Sequence, residues 1–200
     1  PGFLAGSCLE KDAYILASNM LDGDLKGVLL SIRKANEKLE SRVIDFLKTI
    51  LAKNSACKML VTGIAFKGVP QTNDMRGSSA VNILIKLAKY ADNLTVHDFM
   101  NSKEELEAKV DLNSIDPDSI FNESLGAYDY VVILNNHSRY NSLRMHDFIK
   151  GQERRGAKII DAWNATNFPQ ILTLTNMFID EKLEGILASI PKFLTILPPL

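Results

Sequence analysis

Four short apolar runs spaced between residues 58 and 161 limit the fold of the chain more than any other feature. Residues 58–66 (KMLVTGIAF) form a nearly unbroken apolar segment that runs into a glycine. Residues 94–98 (LTVHD), 130–134 (YVVIL) and 158–161 (KIID) repeat the pattern. Apolar runs without polar alternation are typical of strands buried on both faces. Helical patterns separate them. Ser78 and Ser79 supply a helix N-cap ahead of Val81, Leu84, Ile85 and Ala88 on one face, and further helical stretches cover 102–109 and 143–151. Parallel strands need such crossovers. The expectation is an α/β fold in which a helical segment precedes a Rossmann-like parallel sheet with helices on both faces.

The first 55 residues carry the helical segment. A short helix is expected over 13–21, a turn at Asp22-Gly23-Asp24, then a long helix over 25–51. Leu29, Ile32, Asn36, Leu39, Val43, Phe46 and Ile50 alternate at spacings of three and four, a seam with one polar member. Such a seam packs on another helix, in the same chain or across a dimer axis. A buried Asn in it fixes register or hydrogen-bonds locally. Closed twofold oligomers are common, which favours a homodimer through the 25–51 helix. The organisation read from sequence is a helical segment at 1–55, a Rossmann-like sheet domain at 56–180 and a tail at 181–200.

Composition narrows the partners. A net charge of -1 leaves no bulk electrostatics for nucleic acid or a membrane surface. Two cysteines make no disulfide framework, so a reducing cytoplasm is expected, and no metal site is read. No basic-then-apolar leader is present, and the first residue, Pro1, falls inside a motif, so the chain reads as one part of a longer protein. Residues 186–200 are apolar but shorter than the roughly 20 residues a membrane span needs, and Pro191 interrupts them.

Function is concentrated around Cys8. Residues 1–12 read PGFLAGSCLEKD, a glycine-punctuated approach to a thiol. Glycines let backbone come close to a ligand. A nearby cation such as Lys11 favours the thiolate, the form that attacks carbonyls. In a helix Asp12 would share a face with Cys8, four residues away, and could handle a proton or a water. Most lone cysteines are simply small buried hydrophobes. The second polar cluster is 66–79 (FKGVPQTNDMRGSS), where Lys67 and Arg76 bracket a loop at the carboxyl end of the first strand, just before a helix. That combination suits a phosphate, although the GxGxxG spacing is absent. Charge content alone would make it an ordinary solvated loop.

Both segments resemble the nucleotide-sugar 6-dehydrogenases, the UDP-glucose/GDP-mannose dehydrogenase family. The first is similar at Pro1, Gly2, Phe3, Gly6, Ser7, Cys8, Leu9, Lys11 and Asp12, and departs at Ala5, where glycine is usual, and at Glu10, where proline is common. The second is similar over 63–67 and 72–80, with Gly77 where glutamate is usual, a change expected to loosen the loop.

The resemblance implies a four-electron oxidation of a sugar C6 alcohol to the acid with two molecules of NAD, through a thioester on Cys8, with Asp12 aiding the water. It implies substrate contacts at Phe3, Leu4, Gly6, Phe66 and Lys67, a cofactor contact at Arg76, and a UDP-sugar ahead of a GDP-sugar. Trp163 stands where many members carry an arginine that contacts the nucleotide-sugar; it could stack on a ring but not act as a bidentate cation. Asp98 resembles the family's acid at that strand end, and His137 follows the third strand at the ligand-facing edge. The alternative is a non-catalytic nucleotide-sugar-binding and dimerisation module.

Overall fold

The computed structural model describes residues 3–20, 23–122, 125–167 and 172–173. Pro1 and Gly2 of the first motif, Asp22 of the expected turn and the tail at 181–200 lie outside these residues. Helix α1 (Ser7–Asn19) and helix α2 (Gly23–Lys53) lead into an alternating series: β1 (Met59–Thr62), α3 (Ser79–Leu87), β2 (Leu94–His97), α4 (Lys103–Val110), β3 (Ser114–Ile115), β4 (Tyr130–Ile133), α5 (Leu143–Arg154), β5 (Lys158–Asp161) and β6 (Leu172–Thr173). The strands form one sheet in the order β3-β2-β1-β4-β5-β6, and every neighbouring pair is parallel. This is the doubly wound order, with the switch point between β1 and β4. Strands β3 and β6, two residues each, are too short to leave an apolar run in the sequence.

Two cores cover the faces. On one, Val43, Ile44, Leu47 and Leu51 of α2 and Ile83, Leu84 and Leu87 of α3 pack on Met59, Val61, Val96 and Val132. On the other, Met145 and Ile149 of α5 join Tyr140 against Leu60, Val131, Ile133 and Ile159. The long helix therefore packs on the sheet of its own chain. Its buried positions are Arg33, Asn36, Val43, Ile44, Leu47 and Leu51. Of the expected seam, Leu39, Phe46 and Ile50 are half-buried against the core, while Ile32 is exposed. A straight helix turns every 3.6 residues, so a seam written at 3.5 drifts off the buried side. Asn36 is used within the chain: its amide bonds to the backbone of Leu4.

A buried polar chain crosses the sheet centre. Nε2 of His97 lies 2.9 Å from the Pro117 carbonyl, which can only accept, so Nε2 carries the proton. Nδ1 then accepts from the Thr62 hydroxyl at 2.6 Å, and Thr62 accepts from Tyr140 at 2.7 Å. Burial pushes the imidazole down to about 4, against weaker opposing effects of the Pro117 bond and Asp98. Protonation would put a second donor against Thr62 and reverse the chain.

The unfolded chain binds more protons than the folded one between pH 6.5 and 4, so stability falls as pH drops through that window. The slope from this group is at most about 1.4 kcal/mol per pH unit. His97→Gln should lower stability at pH 7.5 by about 1–3 kcal/mol and flatten the acid slope. Denaturant unfolding at pH 7.5, 6, 5 and 4 checks this; an equal slope in both proteins would exclude His97 as its source.

Candidate functional site

The sheet's switch point is where an α/β fold normally takes its ligand, and here the chain fills that crevice itself. Gly63 approaches the end of β4 so closely that a Cβ would lie 2.7 Å from the Asn135 nitrogen. A Cβ on Gly68 would fall 2.0 Å from the His137 nitrogen. Asn136 Oδ1 accepts from the Gly68 N–H at 2.9 Å and the Val69 N–H at 3.3 Å. Asn135 Nδ2 donates to the Ala65 carbonyl at 3.3 Å. Side-chain amides can serve backbone donors and acceptors alike, so two consecutive Asn residues after an apolar strand were the available sequence signal.

Asp98 closes the same turn from the β2 side. Its Oδ2 accepts from Ile64 N–H at 2.7 Å and Ala65 N–H at 3.0 Å, and its Oδ1 from Met100 N–H at 2.7 Å. A bound pyrophosphate needs free N–H groups at this turn. Here they serve a buried carboxylate whose charge would also repel phosphate. The turn does not fit a dinucleotide, in keeping with the missing GxGxxG spacing.

The open surface lies one layer outward. The Phe66 N–H donates to the Asp74 carbonyl at 3.0 Å, folding 66–74 into a loop. The half-buried Lys67 ammonium sits 5.0 Å from the Phe66 ring centroid. Among the described residues no carboxylate lies within 4 Å of it. Arg76 grips Asp74 with both Nε (2.9 Å to Oδ1) and Nη2 (2.7 Å to Oδ2). This grip holds the Asp74 carboxyl down at about 2 and raises the guanidinium. The Arg76 side chain nevertheless stays 75 % exposed.

The Cys8 segment meets this loop directly. Gly6 adopts φ 116°, a region that favours glycine, and a Cβ there would sit 3.0 Å from the Phe66 ring. The Gly6 N–H donates to the Gly77 carbonyl at 2.9 Å. Gly77 has φ 60°, so glycine at this position suits the turn that presents its carbonyl, and the loop is pinned where loosening was expected. Ala5 is half-buried against the core, which absorbs its methyl.

Cys8 lies in the first turn of α1 and Asp12 one turn later; both are exposed. A negative Cys8 sulfur adds slightly to the raising of Arg76, so the two are electrostatic neighbours. Gly6, Cys8, Phe66, Lys67 and Arg76 thus gather at one edge, with Asp12 following on α1.

Other expected positions have structural duties. The Phe3 ring is buried in the core, and Leu4 exposes its side chain while both its backbone groups are bonded to Asn36. Trp163 is half-buried and donates Nε1–H to the Leu134 carbonyl at 2.9 Å. His137 is buried and pushed down by that burial; its Nδ1 accepts from Arg139 N–H at 3.2 Å. A cleft of about 810 Å³ lies at the opposite, amino edge of the sheet, between Phe46, Ile50 and Lys53 of α2 and the start of β5. It is remote in the fold from Cys8, and its lining includes the buried thiol Cys57. Among the described residues no group of His, Cys, Asp and Glu could hold a metal, and no helix is long and apolar enough to cross a membrane.

Comparison with known proteins agrees with this architecture. Protein CapL of Staphylococcus aureus is 26% identical over 121 residues, which are 58% of this chain and 28% of CapL. The structure of UDP-D-ManNAc dehydrogenase from Pyrococcus horikoshii superposes with a TM-score of 0.60 at 23% identity, covering 89% of this chain and 40% of that one. GDP-mannose dehydrogenase from Pseudomonas aeruginosa gives 0.61 at 20% identity, covering 88% and 40%. At these identities the structural likeness is one of fold, and the chain spans well under half the length of each relative. Residues 60–168, more than half of the chain, match the UDP-binding domain of the UDP-glucose/GDP-mannose dehydrogenases. On that match and the fold that accompanies it, the chain belongs to the UDP-glucose/GDP-mannose dehydrogenase family.

Proposed function

We propose that the chain is the second half of a nucleotide-sugar 6-dehydrogenase, in which a UDP-sugar C6 alcohol becomes the uronic acid through a thioester on Cys8. The observation that carries this reading is the junction of Gly6 with Phe66 and Gly77. It sets a nucleophile beside a cation and an aromatic face, on elements far apart in sequence. Lys67 offers a point charge to the diphosphate, and the Phe66 ring gives the nucleotide-sugar an apolar wall. A UDP-sugar is placed ahead of a GDP-sugar in this reading, in keeping with the description of the matching domain as UDP-binding.

Cys8 holds the oxidised C6 as an acyl group. Water then attacks the acyl carbon, the carbon–sulfur bond breaks to release the acid, and Asp12 takes the water's proton. The family's oxidant, NAD, supplies the electron acceptor; the β1 turn does not fit it, so its site belongs to another part of the enzyme. We assign Arg76, exposed on the loop and held by Asp74, as the group of this chain that meets the cofactor. A cytoplasmic setting is consistent with two free thiols.

A homodimer completes the proposal. Leu25, Val28 and Ile32 are each at least half exposed at i, i+3 and i+7 on α2, and Leu9, Ile15 and Leu16 on α1 are too. A rimmed apolar stripe of this kind is suited to a second copy.

In the complete enzyme, Cys8→Ser should cut acid formation at least about a thousand-fold while nucleotide-sugar still binds. Asp12→Asn should slow hydrolysis by about 10²–10⁴ and leave an acyl group on Cys8 visible by intact-mass spectrometry. Wild-type acid formation by the serine variant would sink the Cys8 thioester, whereas a Cys8 that alkylates no faster than Cys57 near neutral pH would favour the non-catalytic module. For the dimer, Val28→Glu with Ile32→Glu should halve the mass seen by light scattering with helicity unchanged; an unaltered mass would place the contact elsewhere.

A further inference from the structure

We propose that Asn36 is a positioning residue for Cys8: its side-chain amide clamps the backbone of Leu4 and so sets where helix α1, and the thiol in its first turn, begins. This rests on the role proposed above for Cys8. The geometry is reciprocal. The Leu4 N–H donates to Asn36 Oδ1 at 2.8 Å, and Asn36 Nδ2 donates to the Leu4 carbonyl at 3.0 Å. A primary amide carries a donor and an acceptor in one plane, so Asn can close both bonds at once. Aspartate has the same shape but would set a second acceptor against the Leu4 carbonyl. Asn36 is 5 % exposed, so the amide has little water to turn to if the clamp opens.

Helix α1 needs such an external reference. Its N-cap is Gly6, and no side chain caps its first turn. Nothing within the helix therefore fixes its start. Three contacts from outside do so: Asn36 at Leu4, the Gly77 carbonyl at the Gly6 N–H, and Arg33 Nη1, 3.4 Å from the Leu9 carbonyl. They fall before and after Cys8, and two come from α2 positions three residues apart. Glu40, a further turn along, accepts from Ser79 Oγ at the start of α3. One polar line on α2, Arg33, Asn36 and Glu40, thus ties the thiol-bearing segment and the helix behind the Phe66–Arg76 loop to one rigid rod. Both hydrogen bonds of the Asn36 amide go to the Leu4 backbone, so it acts on Cys8 through the chain and not on a reacting group. A displacement of about 1 Å at a nucleophile can cost roughly a hundred-fold in rate.

The test uses the complete enzyme with Asn36→Asp, which keeps the shape and removes the donor, and Asn36→Leu, which keeps the helix and its packing and removes both bonds. Hydrogen exchange read by mass spectrometry should show faster exchange across 4–9, with 59–62 and 130–133 unchanged. In the same variants kcat should fall about 10- to 100-fold while KM for the nucleotide-sugar moves less than about threefold. Unchanged exchange across 4–9 would overturn the clamp. Faster exchange with unchanged kcat would overturn its positioning role, as would loss of protection throughout the sheet. Cys8→Ser is the control: if it retains wild-type turnover, the role of Cys8 has failed, whereas the exchange result still judges the clamp.

Discussion

The candidate site of this chain depends on the contact of Gly6 with the Phe66 ring and the Gly77 carbonyl. Without it, the thiol segment and the loop after β1 would be two separate surfaces. Gly6 can take part because it has no Cβ, which would lie 3.0 Å from the ring, and because φ 116° is open to it. A methyl there would push the two layers apart. The carbonyl that receives its N–H belongs to a second positive-φ glycine, so two glycines about seventy residues apart make one joint.

The sheet domain explains why the site lies outward. In a doubly wound fold the crevice at the switch point is the natural ligand seat. Here Gly63, Gly68, Asn135 and Asn136 close it, and Asp98 takes the N–H groups that would face phosphate. The domain keeps the strand order of a dinucleotide fold and presents a different surface. Its cations stand on the outer wall, Lys67 against the Phe66 ring and Arg76 as the electrostatic neighbour of Cys8.

The sheet was legible in the sequence because central strands buried on both faces must be continuously apolar. Residues 158–161 formed β5 as read, and β1, β2 and β4 ended one to four residues sooner than the apolar runs. The edge strands β3 and β6 were not legible, since two residues carry no period. The long helix was legible in extent but not in facing, because Arg33 and Asn36 are buried for their hydrogen bonds, and hydropathy cannot see that reason. At the site, Cys8, Lys67 and Arg76 were visible as reactive or charged side chains. The bracing by Asn135, Asn136 and Asp98 was not, because it is backbone bonding across long sequence separations. The motif marks Phe3 as a ligand contact, and the packing of its ring in the core was not legible from the motif.

The most direct test of the account is a titration of the isotopically labelled chain with a UDP-sugar, followed by backbone amide NMR. The joint predicts that amides in 4–9 and 64–78 shift together, with a single dissociation constant, while those lining the cleft near Lys53 and Gly156 stay still. Shifts confined to one of the two segments, or centred on that opposite cleft, would contradict a shared site.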